Sequence, residues 1–452
     1  MSTAPKQPIA GFSKLSKVGK IKWIVENFFR DPDTVMRELT SYWHHNEDQQ
    51  KVLDGFSENT ISNYLLPYGV APNVLINGQY YCVPMVIEES SVVAAASAAA
   101  KFWMDRGGFQ ARVIGMIKKG QVHFLWRGPR EKLEALFPML EQAMRRDAAV
   151  HLANMEKRGG GLVGVRLRTL PEVEAGYYQI DIDMETCDSM GANLINTVLE
   201  SFAQTLTDVI SGQADWSDEE REVQVIMSIL SNYTPECLVR AEVSCPVNAL
   251  GSFPNGIDAR TFAEKFALAV RIARMDPYRA TTHNKGIFNG IDAVVIATGN
   301  DFRAVEACGH AYAARDGQYR GLSECRIEDE VFHFWMDIPL ALGTVGGLTA
   351  LHPMARRSLE LLGNPTAEEL MQIVASVGLA QNFAALRSLV TTGIQQGHMK
   401  MHLQNILHSL GASDHEKVSV EGHFSDKVVT YQGVREYLEW IRTQPATFAV
   451  KP

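Results

Sequence analysis

The sequence predicts an α+β protein: a large, mostly helical α/β domain, a small ferredoxin-like domain inserted into it, and a mobile helical C-terminal flap. Three observations support this fold class. The chain has 452 residues, which corresponds to about three domains at roughly 150 residues per domain. The pattern of strands and helices changes at about residues 113 and 235. Glycines then interrupt the C-terminal tail.

The middle segment predicts the inserted domain. Between about 113 and 235, the alternation of apolar and polar residues indicates the order β-α-β-β-α-β, which is typical of a ferredoxin-like unit. The segments on either side lack this order, so we expect one larger domain in two parts. The predicted boundaries are 1–112 and 236–392 for the large domain, 113–235 for the small domain and 393–452 for the flap.

The flanking segments are predicted to be mainly helical. Asn77-Gly78, between apolar flanks, predicts the turn of a β-hairpin. The helices that the periodicity predicts lie over parts of 13–56, over about 90–103 and over 258–276.

The last predicted core element contains a possible break. Thr366 and Glu369 form a capping box for a helix over about 367–377. We expect Gly378 to end this helix and a second helical stretch to run to about 392. Further glycines in the tail predict a segment that moves relative to the core, as lids do: Gly393, Gly397 and Gly411.

Composition excludes several classes of protein. Hydrophobic residues make up 46% and charged residues 21%, which is near the globular average and excludes disordered, collagenous and coiled-coil chains. The net charge of −9 does not suit a protein that coats nucleic acid or an anionic membrane, although it leaves room for a local basic pocket.

The six cysteines form no C-x-x-C pair, as expected for reduced thiols. No run of about 18 apolar residues predicts a membrane span, and no signal peptide is recognisable. We therefore expect a cytoplasmic protein without nucleic-acid or membrane partners.

The first candidate site flanks an apolar run at 293–297. Lys285 and Asp301 lie in Gly-containing segments, 282–286 and 298–301, that we predict to be turns. A buried lysine beside a carboxylate can stabilise a developing oxyanion. The alternative is a solvated surface turn on each side of a core element, and the spacing alone favours this alternative.

The second candidate is the Glu88-Glu89 pair before the alanine-rich helix. Adjacent carboxylates on an extended segment point in opposite directions, so at most one faces the core. A half-buried glutamate has a raised pKa and can act as an acid. The alternative is that both carboxylates only stabilise a helix N-terminus, and the pattern does not decide between the two.

Three further segments carry weaker functional signals. The segment 188–193 joins a strand to a helix, and its small residues would let a phosphate approach the helix N-terminus. It is not the G-x-G-x-x-G fingerprint, so a structural turn is favoured when the segment is taken alone. Gln381-Asn382 within an apolar helix can bind a carboxylate or satisfy each other. His398 and His402 share a helix face, but a third ligand is missing, so we predict no metal site.

Taken together and in this order, these segments resemble hydroxymethylglutaryl-CoA (HMG-CoA) reductase, specifically the soluble bacterial class II enzymes. The resemblance extends from about residue 58 to 400. The blocks that carry it are 58–61, 84–89, 188–193, 276–280, 283–286, 298–301, 378–382 and 397–399.

The resemblance implies a four-electron reduction of HMG-CoA to mevalonate and CoA, with two hydride transfers from a nicotinamide cofactor. It implies that Glu89 is the catalytic acid and that Lys285 stabilises the oxyanion. It further implies that Asp301 hydrogen-bonds this lysine, and that His398 protonates the leaving CoA thiolate, a task that suits an imidazolium near neutral pH.

The resemblance also implies two groups of binding residues. The small domain would bind the nucleotide, and the second part of the large domain would bind HMG-CoA. The residues implied to hold the HMG portion are Ser91, Arg279, Asn289, Gln381 and Asn382. The residues implied to hold the dinucleotide are Asp188, Met190, Gly191, Asn193 and Asn232.

Cofactor preference depends on the segment before the triple glycine at 159–161. NAD-preferring members of the family place an acidic residue seven positions before it, where this chain has Leu152. A 2′-phosphate favours cations over a carboxylate, so we predict NADPH, with NADH as the alternative. The cations that we assign to this phosphate are Arg145, Arg146, Lys157 and Arg158, unless they are simply solvated helix charges.

The implied assembly is a homodimer, or a higher oligomer of dimers, with active sites at the subunit interface. Two other functions stay open from the sequence. One is the reverse reaction, NAD-dependent oxidation of mevalonate to HMG-CoA. The other is an inactive homologue that binds acyl-CoA, which the presence of all four implied catalytic residues disfavours.

Overall fold

The computed structural model describes residues 8–393, 403–404, 406–425, 427 and 429–443, and it combines helices with antiparallel sheets. The first elements are α1 (Lys17–Phe28), α2 (Pro32–Ser41), α3 (Glu47–Asp54), β1 (Tyr68–Ile76), β2 (Gln79–Val86) and α4 (Ser90–Met104). The middle elements are β3 (Gln110–Val113), β4 (Ile117–Trp126), α5 (Arg130–Glu156), β5 (Gly161–Thr169), β6 (Tyr177–Glu185), α6 (Ala192–Ser211) and β7 (Val223–Ser231).

The remaining elements return to a mainly helical pattern. They are β8 (Leu238–Pro246), α7 (Ala259–Met275), α8 (Pro277–Ala297), α9 (Phe302–Ala313), β9 (Ser323–Glu328), β10 (Val331–Pro339), α10 (Gly347–Leu351), α11 (Pro353–Leu361), α12 (Ala367–Val390), α13 (Asp414–His423) and α14 (Tyr431–Thr443). The predicted hairpin turn is confirmed: β1 pairs with β2 around Asn77 and Gly78, which both have positive φ.

The largest core lies between helices and the antiparallel sheet β3-β8-β10-β9. Helix α12 runs through it and is buried along most of its length, which explains why it is apolar on nearly every face. Its length and hydropathy would also allow it to cross a membrane, but 72% of the relevant window is buried inside the fold. The predicted capping box of Thr366 and Glu369 begins this helix.

The predicted break at Gly378 is wrong, because α12 continues through it to Val390. A Cβ on Gly378 would lie 2.7 Å from Cγ1 of Ile291 on α8, so this glycine allows two helices to cross closely. The predicted turn at 282–286 is also wrong, because a continuous helix runs through it. This segment lies inside α8, where Gly290 approaches Gln381 of α12. Gly299, with φ of 71°, is a true turn after α8.

A second core belongs to the elements between β4 and β7. The sheet order is β5-β6-β4-β7, with all neighbours antiparallel, so the predicted β-α-β-β-α-β order is present with the strand arrangement of a split βαβ motif. Helices α5 and α6 cover one face of the sheet, with Leu140 and Phe202 among their fully buried residues. We call these elements the small-sheet unit. Helix α5 continues through Pro138.

A third, small core joins the C-terminal helices. Leu407, Val420, Val434 and Leu438 are buried between α13, α14 and the residues that precede them. His398 and His402 lie outside the described residues. The mobility of the flap therefore stays a prediction.

Candidate active site

Lys285 and Glu89 meet at the start of α4, although 196 residues separate them in sequence. The Asp276 carboxylate caps the start of α8, and Lys285 lies on this helix about two and a half turns later. The Nζ atom of Lys285 lies 3.5 Å from Oε2 of Glu89, and the two side chains are 64% and 37% exposed. The Ser91 hydroxyl donates to Oε1 of Glu89 at 2.5 Å. Three predicted residues are therefore brought together.

The two glutamates behave differently. Glu88 is exposed, whereas Glu89 is half-buried and also occupies the N-cap position of α4. The expectation that at most one of them faces inward is confirmed. Glu89 lies at a helix N-terminus and also forms an ion pair with Lys285, and its role as an acid stays a prediction.

Asp301 has other partners than those implied by the resemblance. Its carboxylate caps α9 by accepting from the backbone N–H of Arg303 and of Ala304, and it pairs with the Arg303 guanidinium at 3.0 Å. Burial raises the pKa of this carboxyl, but the contacts with Arg303 and Ala304 outweigh burial and hold the pKa below its ordinary value. Within the described part of the chain, no hydrogen bond joins Asp301 to Lys285, because the carboxylate serves the start of α9.

Arg279 and Asn289 lie on α8 with Lys285. Asn289 follows Lys285 by four residues and therefore shares its face of the helix; it is half-buried. Arg279 is half-buried as well and forms no ion pair in the ranges that the structure describes. A half-buried guanidinium without an acidic partner suits an incoming carboxylate.

Gln381 and Asn382 lie on the side of α12 that faces α8. The Cβ of Gln381 fills the space beside Gly290, and its Oε1 atom is buried without a hydrogen bond to any described residue. Oδ1 of Asn382 accepts from the Ser323 hydroxyl at 2.7 Å. The two amides therefore do not satisfy each other, which excludes that alternative.

The 188–193 loop connects β6 to α6 and contacts the large core. Gly191 has φ of 85°, and a Cβ there would lie 2.5 Å from Cγ2 of Thr186. The Asp188 carboxylate accepts from the backbone N–H of Ala367 at 2.7 Å, and its carbonyl accepts from the N–H of Thr344. The carboxylate of Asp188 therefore holds the loop against the start of α12.

Lys118 is a functional candidate that the sequence reasoning missed. It is 2% exposed, and its ammonium donates to the Ser189 carbonyl at 2.8 Å and to the Thr186 hydroxyl. Burial lowers the pKa of this ammonium. The signal in the sequence was its position in β4, where it shares the inward face with Gly120 and Val122. A lysine at an inward position is unusual, because burying its ammonium group costs free energy unless the group has polar partners.

A cleft beside this lysine brings together two of the predicted dinucleotide residues. Met190 and Asn232 line it with Lys118, and Ala304 of α9 closes one side. Asn193 is exposed in the first turn of α6. The cleft therefore lies where the small-sheet unit meets α9, the helix that Asp301 caps.

The four predicted phosphate cations are not equivalent. Arg145 pairs with Glu141 at 2.8 Å, and Arg146 pairs with Asp147 at 2.9 Å, as solvated helix charges do. Lys157 and Arg158 are exposed. The Arg158 carbonyl accepts from the Cys187 thiol, which places it next to the 188–193 loop. Leu152 is buried in the core of the small-sheet unit.

The sequence profile of hydroxymethylglutaryl-coenzyme A reductase matches residues 23–403. The chain belongs to this family. It is 35% identical over 442 residues to the 3-hydroxy-3-methylglutaryl-coenzyme A reductase of Archaeoglobus fulgidus, covering 96% of this chain and 95% of the relative. It is 32% identical over 419 residues to the probable reductase of Borreliella burgdorferi, covering 91% and 92%.

Solved structures place the chain within the family. The class II reductase of Streptococcus pneumoniae, bound to NADPH in open conformations, is 39% identical and superposes with a TM-score of 0.68 over 92% of this chain and all of that one. A second structure of the S. pneumoniae reductase gives 37% identity and the same TM-score over 96% of this chain. The chain is therefore a class II member of the HMG-CoA reductase family.

Proposed function

We propose that this protein reduces HMG-CoA to mevalonate and CoA with two molecules of NADPH, as an enzyme of the mevalonate pathway of isoprenoid biosynthesis. The observation that carries the proposal is the cluster of Glu89, Ser91 and Lys285, assembled from distant segments within a chain that matches the reductase family over residues 23–403. The NADPH-bound structure of the S. pneumoniae relative supports the choice of cofactor.

The cluster has the groups that carbonyl reduction requires. NADPH, when bound, supplies the hydrides. The Lys285 ammonium stabilises the negative charge that develops on the substrate oxygen, and Glu89 delivers a proton to that oxygen. Ser91 orients the Glu89 carboxyl by donating to Oε1, so that Oε2 faces Lys285. His398, outside the described residues, is our candidate for protonating the CoA thiolate.

The rest of the substrate lies along α8 and α12 in this proposal. Arg279 binds the carboxylate of the HMG portion, and Asn289, Gln381 and Asn382 hydrogen-bond its remaining oxygens. Asp301 remains our candidate for tuning the Lys285 ammonium. Because its carboxylate is held by Arg303 in the isolated chain, this role requires Lys285 and Asp301 to approach each other when the site closes.

The cleft beside the 188–193 loop has the chemistry of a dinucleotide site. The N-cap residue of α6 is Gly191, which supplies no side-chain cap, so the first N–H groups of the helix can bind phosphate. Met190, Asn193 and Asn232 would hold the cofactor, and Asp188 would position the loop. Lys157 and Arg158, rather than the paired Arg145 and Arg146, are the better candidates for the 2′-phosphate.

We further propose the domain boundaries given above, a cytoplasmic location and a homodimer, or an oligomer of dimers, with sites at the interface. The separate core of the small-sheet unit supports the domain division. Exposed apolar residues support the dimer: Tyr64 is 90% exposed, and Leu65 and Leu351 are also largely exposed. The exposure of Lys285 also favours closure by another element.

Steady-state kinetics tests the proposal. We expect oxidation of NADPH that depends on HMG-CoA, with two NADPH consumed per CoA released and a much lower kcat/KM with NADH. A preference for NADH would overturn the cofactor assignment and would favour mevalonate oxidation. Binding of HMG-CoA without any turnover would instead identify an inactive acyl-CoA-binding homologue.

A further inference from the structure

A buried hydrogen-bonded chain runs from α8 through the start of β9 to α12. His283 is 3% exposed and Asn382 is 1% exposed, and Ser323 between them is fully buried. Nε2 of His283 lies 2.6 Å from the Ser323 hydroxyl oxygen, and this oxygen lies 2.7 Å from Oδ1 of Asn382. These residues come from three elements that meet beside the close crossing of α8 and α12.

The direction of each hydrogen bond follows from the donors available. Oδ1 of Asn382 can only accept, so the single hydroxyl proton of Ser323 is donated to it. The contact between Ser323 and His283 then needs its proton from Nε2 of the ring. His283 is therefore the Nε2–H tautomer, and its Nδ1 atom carries no proton.

The surroundings of the ring agree with this assignment. Nδ1 of His283 is buried without a hydrogen-bond partner in the described ranges. A bare acceptor can stay in that position, whereas a second N–H would be buried unpaired at a much higher free energy. Burial and, to a smaller extent, the charge of Arg279 lower the pKa of His283 to about 3. The ring is therefore neutral near pH 7 and donates from Nε2.

The residue next to His283 fixes the segment that carries Ser323. Nδ2 of Asn284 donates to the Arg320 carbonyl, and Oδ1 of Asn284 accepts from the Leu322 N–H, both at 2.9 Å. Neither the backbone before Ser323 nor the His283 ring can move without breaking buried hydrogen bonds. The hydroxyl of Ser323 is therefore held in place from two sides.

The consequence falls on Asn382. Its Oδ1 atom is committed to Ser323, while its Nδ2 group makes no hydrogen bond to any residue that the structure describes. An amide held in this way presents its N–H group as the end without a partner, whereas its oxygen is oriented by Ser323. The partner of this N–H group is an oxygen with free lone pairs, such as a carboxylate, carbonyl or hydroxyl oxygen.

We infer that His283 and Ser323 are positioning residues that fix the amide of Asn382 with its N–H group toward the HMG portion of the substrate. The inference rests on the proposed function, because it assigns the ligand to the HMG-CoA site. It adds two residues, neither of which is expected to touch substrate, and it specifies which end of Asn382 reads the ligand.

Matched substitutions at His283 test the inference. His283→Gln keeps an amide N–H close to the position of Nε2, whereas His283→Leu has similar bulk without a donor. We expect His283→Leu and Ser323→Ala each to raise KM for HMG-CoA about tenfold, the effect of losing one oriented hydrogen bond. KM for NADPH should stay unchanged. His283→Gln should return KM for HMG-CoA to within about threefold of the wild type.

Coupling to Asn382 provides the decisive control. If Ser323 acts through Asn382, Ser323→Ala should add little to the KM of an Asn382→Ala enzyme. The inference is overturned if the two effects add fully, if His283→Gln and His283→Leu are equally impaired, or if both KM values rise together. Urea unfolding of each variant separates loss of folding from loss of binding. A wild-type enzyme that does not turn over HMG-CoA would overturn the proposed function itself, whereas the outcomes above concern an active wild type.

Discussion

Two regions of the molecule bury polar side chains in contrasting ways. At the crossing of α8 and α12, the fully buried groups are neutral: His283, Asn284 and Asn382 exchange hydrogen bonds with Ser323 and the backbone. In the small-sheet unit, the Lys118 amino group is buried against a carbonyl and a hydroxyl, and the carboxylates of Glu185 and Asp188 act on it without forming a salt bridge.

The difference shows what each region is built to do. Burying a neutral network costs little free energy when its members are hydrogen-bonded, and the hydrogen bonds hold the side chains in one orientation. An unpaired buried charge is far more expensive, so it persists where something is gained from the charge itself. We therefore read the α8–α12 crossing as a positioning device, and Lys118 as the positive end of an anion site.

The largest expected effect concerns the Lys285 ammonium, which lies on α8. Lys285→Met should lower kcat by about a thousandfold or more, because the oxyanion loses its stabilising cation. Lys265→Met, at an exposed site on α7, is the matched control and should change kcat by less than about twofold. Stopped-flow measurement of HMG-CoA reduction would show the difference. A loss of less than about tenfold would remove Lys285 from the reaction.

Lys118→Met tests the buried charge directly. We expect Kd for NADPH to rise about tenfold or more, because a cation at the cleft is lost, with no change in KM for HMG-CoA. The free energy of unfolding should stay the same or increase, since an apolar side chain of similar volume replaces a buried charge.

Lys119→Met is the neighbouring control for this experiment. Lys119 lies on the opposite face of β4, where it pairs with Asp183 and Glu236. Its loss should leave the fluorescence titration with NADPH unchanged. Equal weakening of NADPH binding in both variants would mean that the charge of Lys118 has no specific role.

Gly290→Ala tests the closeness of the helix crossing. The added Cβ would lie 2.8 Å from Cβ of Gln381 and 2.9 Å from the Val377 carbonyl oxygen, so we expect a loss of about 1–3 kcal/mol in the free energy of unfolding. Gly286→Ala, one turn earlier on the same helix, meets nothing within 4 Å. Because alanine favours a helix, this control should gain up to about 1 kcal/mol. Urea denaturation measures both, and a destabilised Gly286→Ala would contradict the explanation.

The smallest expected effect tests whether the neutral character of α8 extends to Asp292. Burial, followed by the neighbouring Glu306, raises the pKa of this carboxyl to about 8. The folded state then binds a proton that the unfolded state releases, so the free energy of unfolding should fall as pH rises from about 4 to 8. Asp292→Asn should flatten this dependence by on the order of 1 kcal/mol, after allowance for solvent and for Glu306. Parallel slopes in both proteins would show that Asp292 is ionised throughout.

Much of the site follows from sequence blocks, and the contacts that the sequence did not predict have physical causes. Glu89, Ser91 and Lys285 were predicted from their motifs and lie together. The contacts of Asp188 and Asp301 with helix N-termini were not predicted, and their roles toward the cofactor and Lys285 stay predictions. A carboxylate in front of a helix has two uses, and the motif cannot show which one the surrounding backbone selects.

The sequence alone determined the β-α-β-β-α-β order of the small-sheet unit, the β-hairpin at Asn77-Gly78, the capping box at Thr366 and the family. These depend on local periodicity, turn chemistry and motif order, which a single chain displays directly. Only the tertiary structure decided that Gly290 and Gly378 allow two helices to cross closely, that Lys118 is buried, and that His283 reaches Asn382 through Ser323. Each of these depends on contacts between residues that are far apart in sequence. Local periodicity and motifs do not show which distant residues will be in contact.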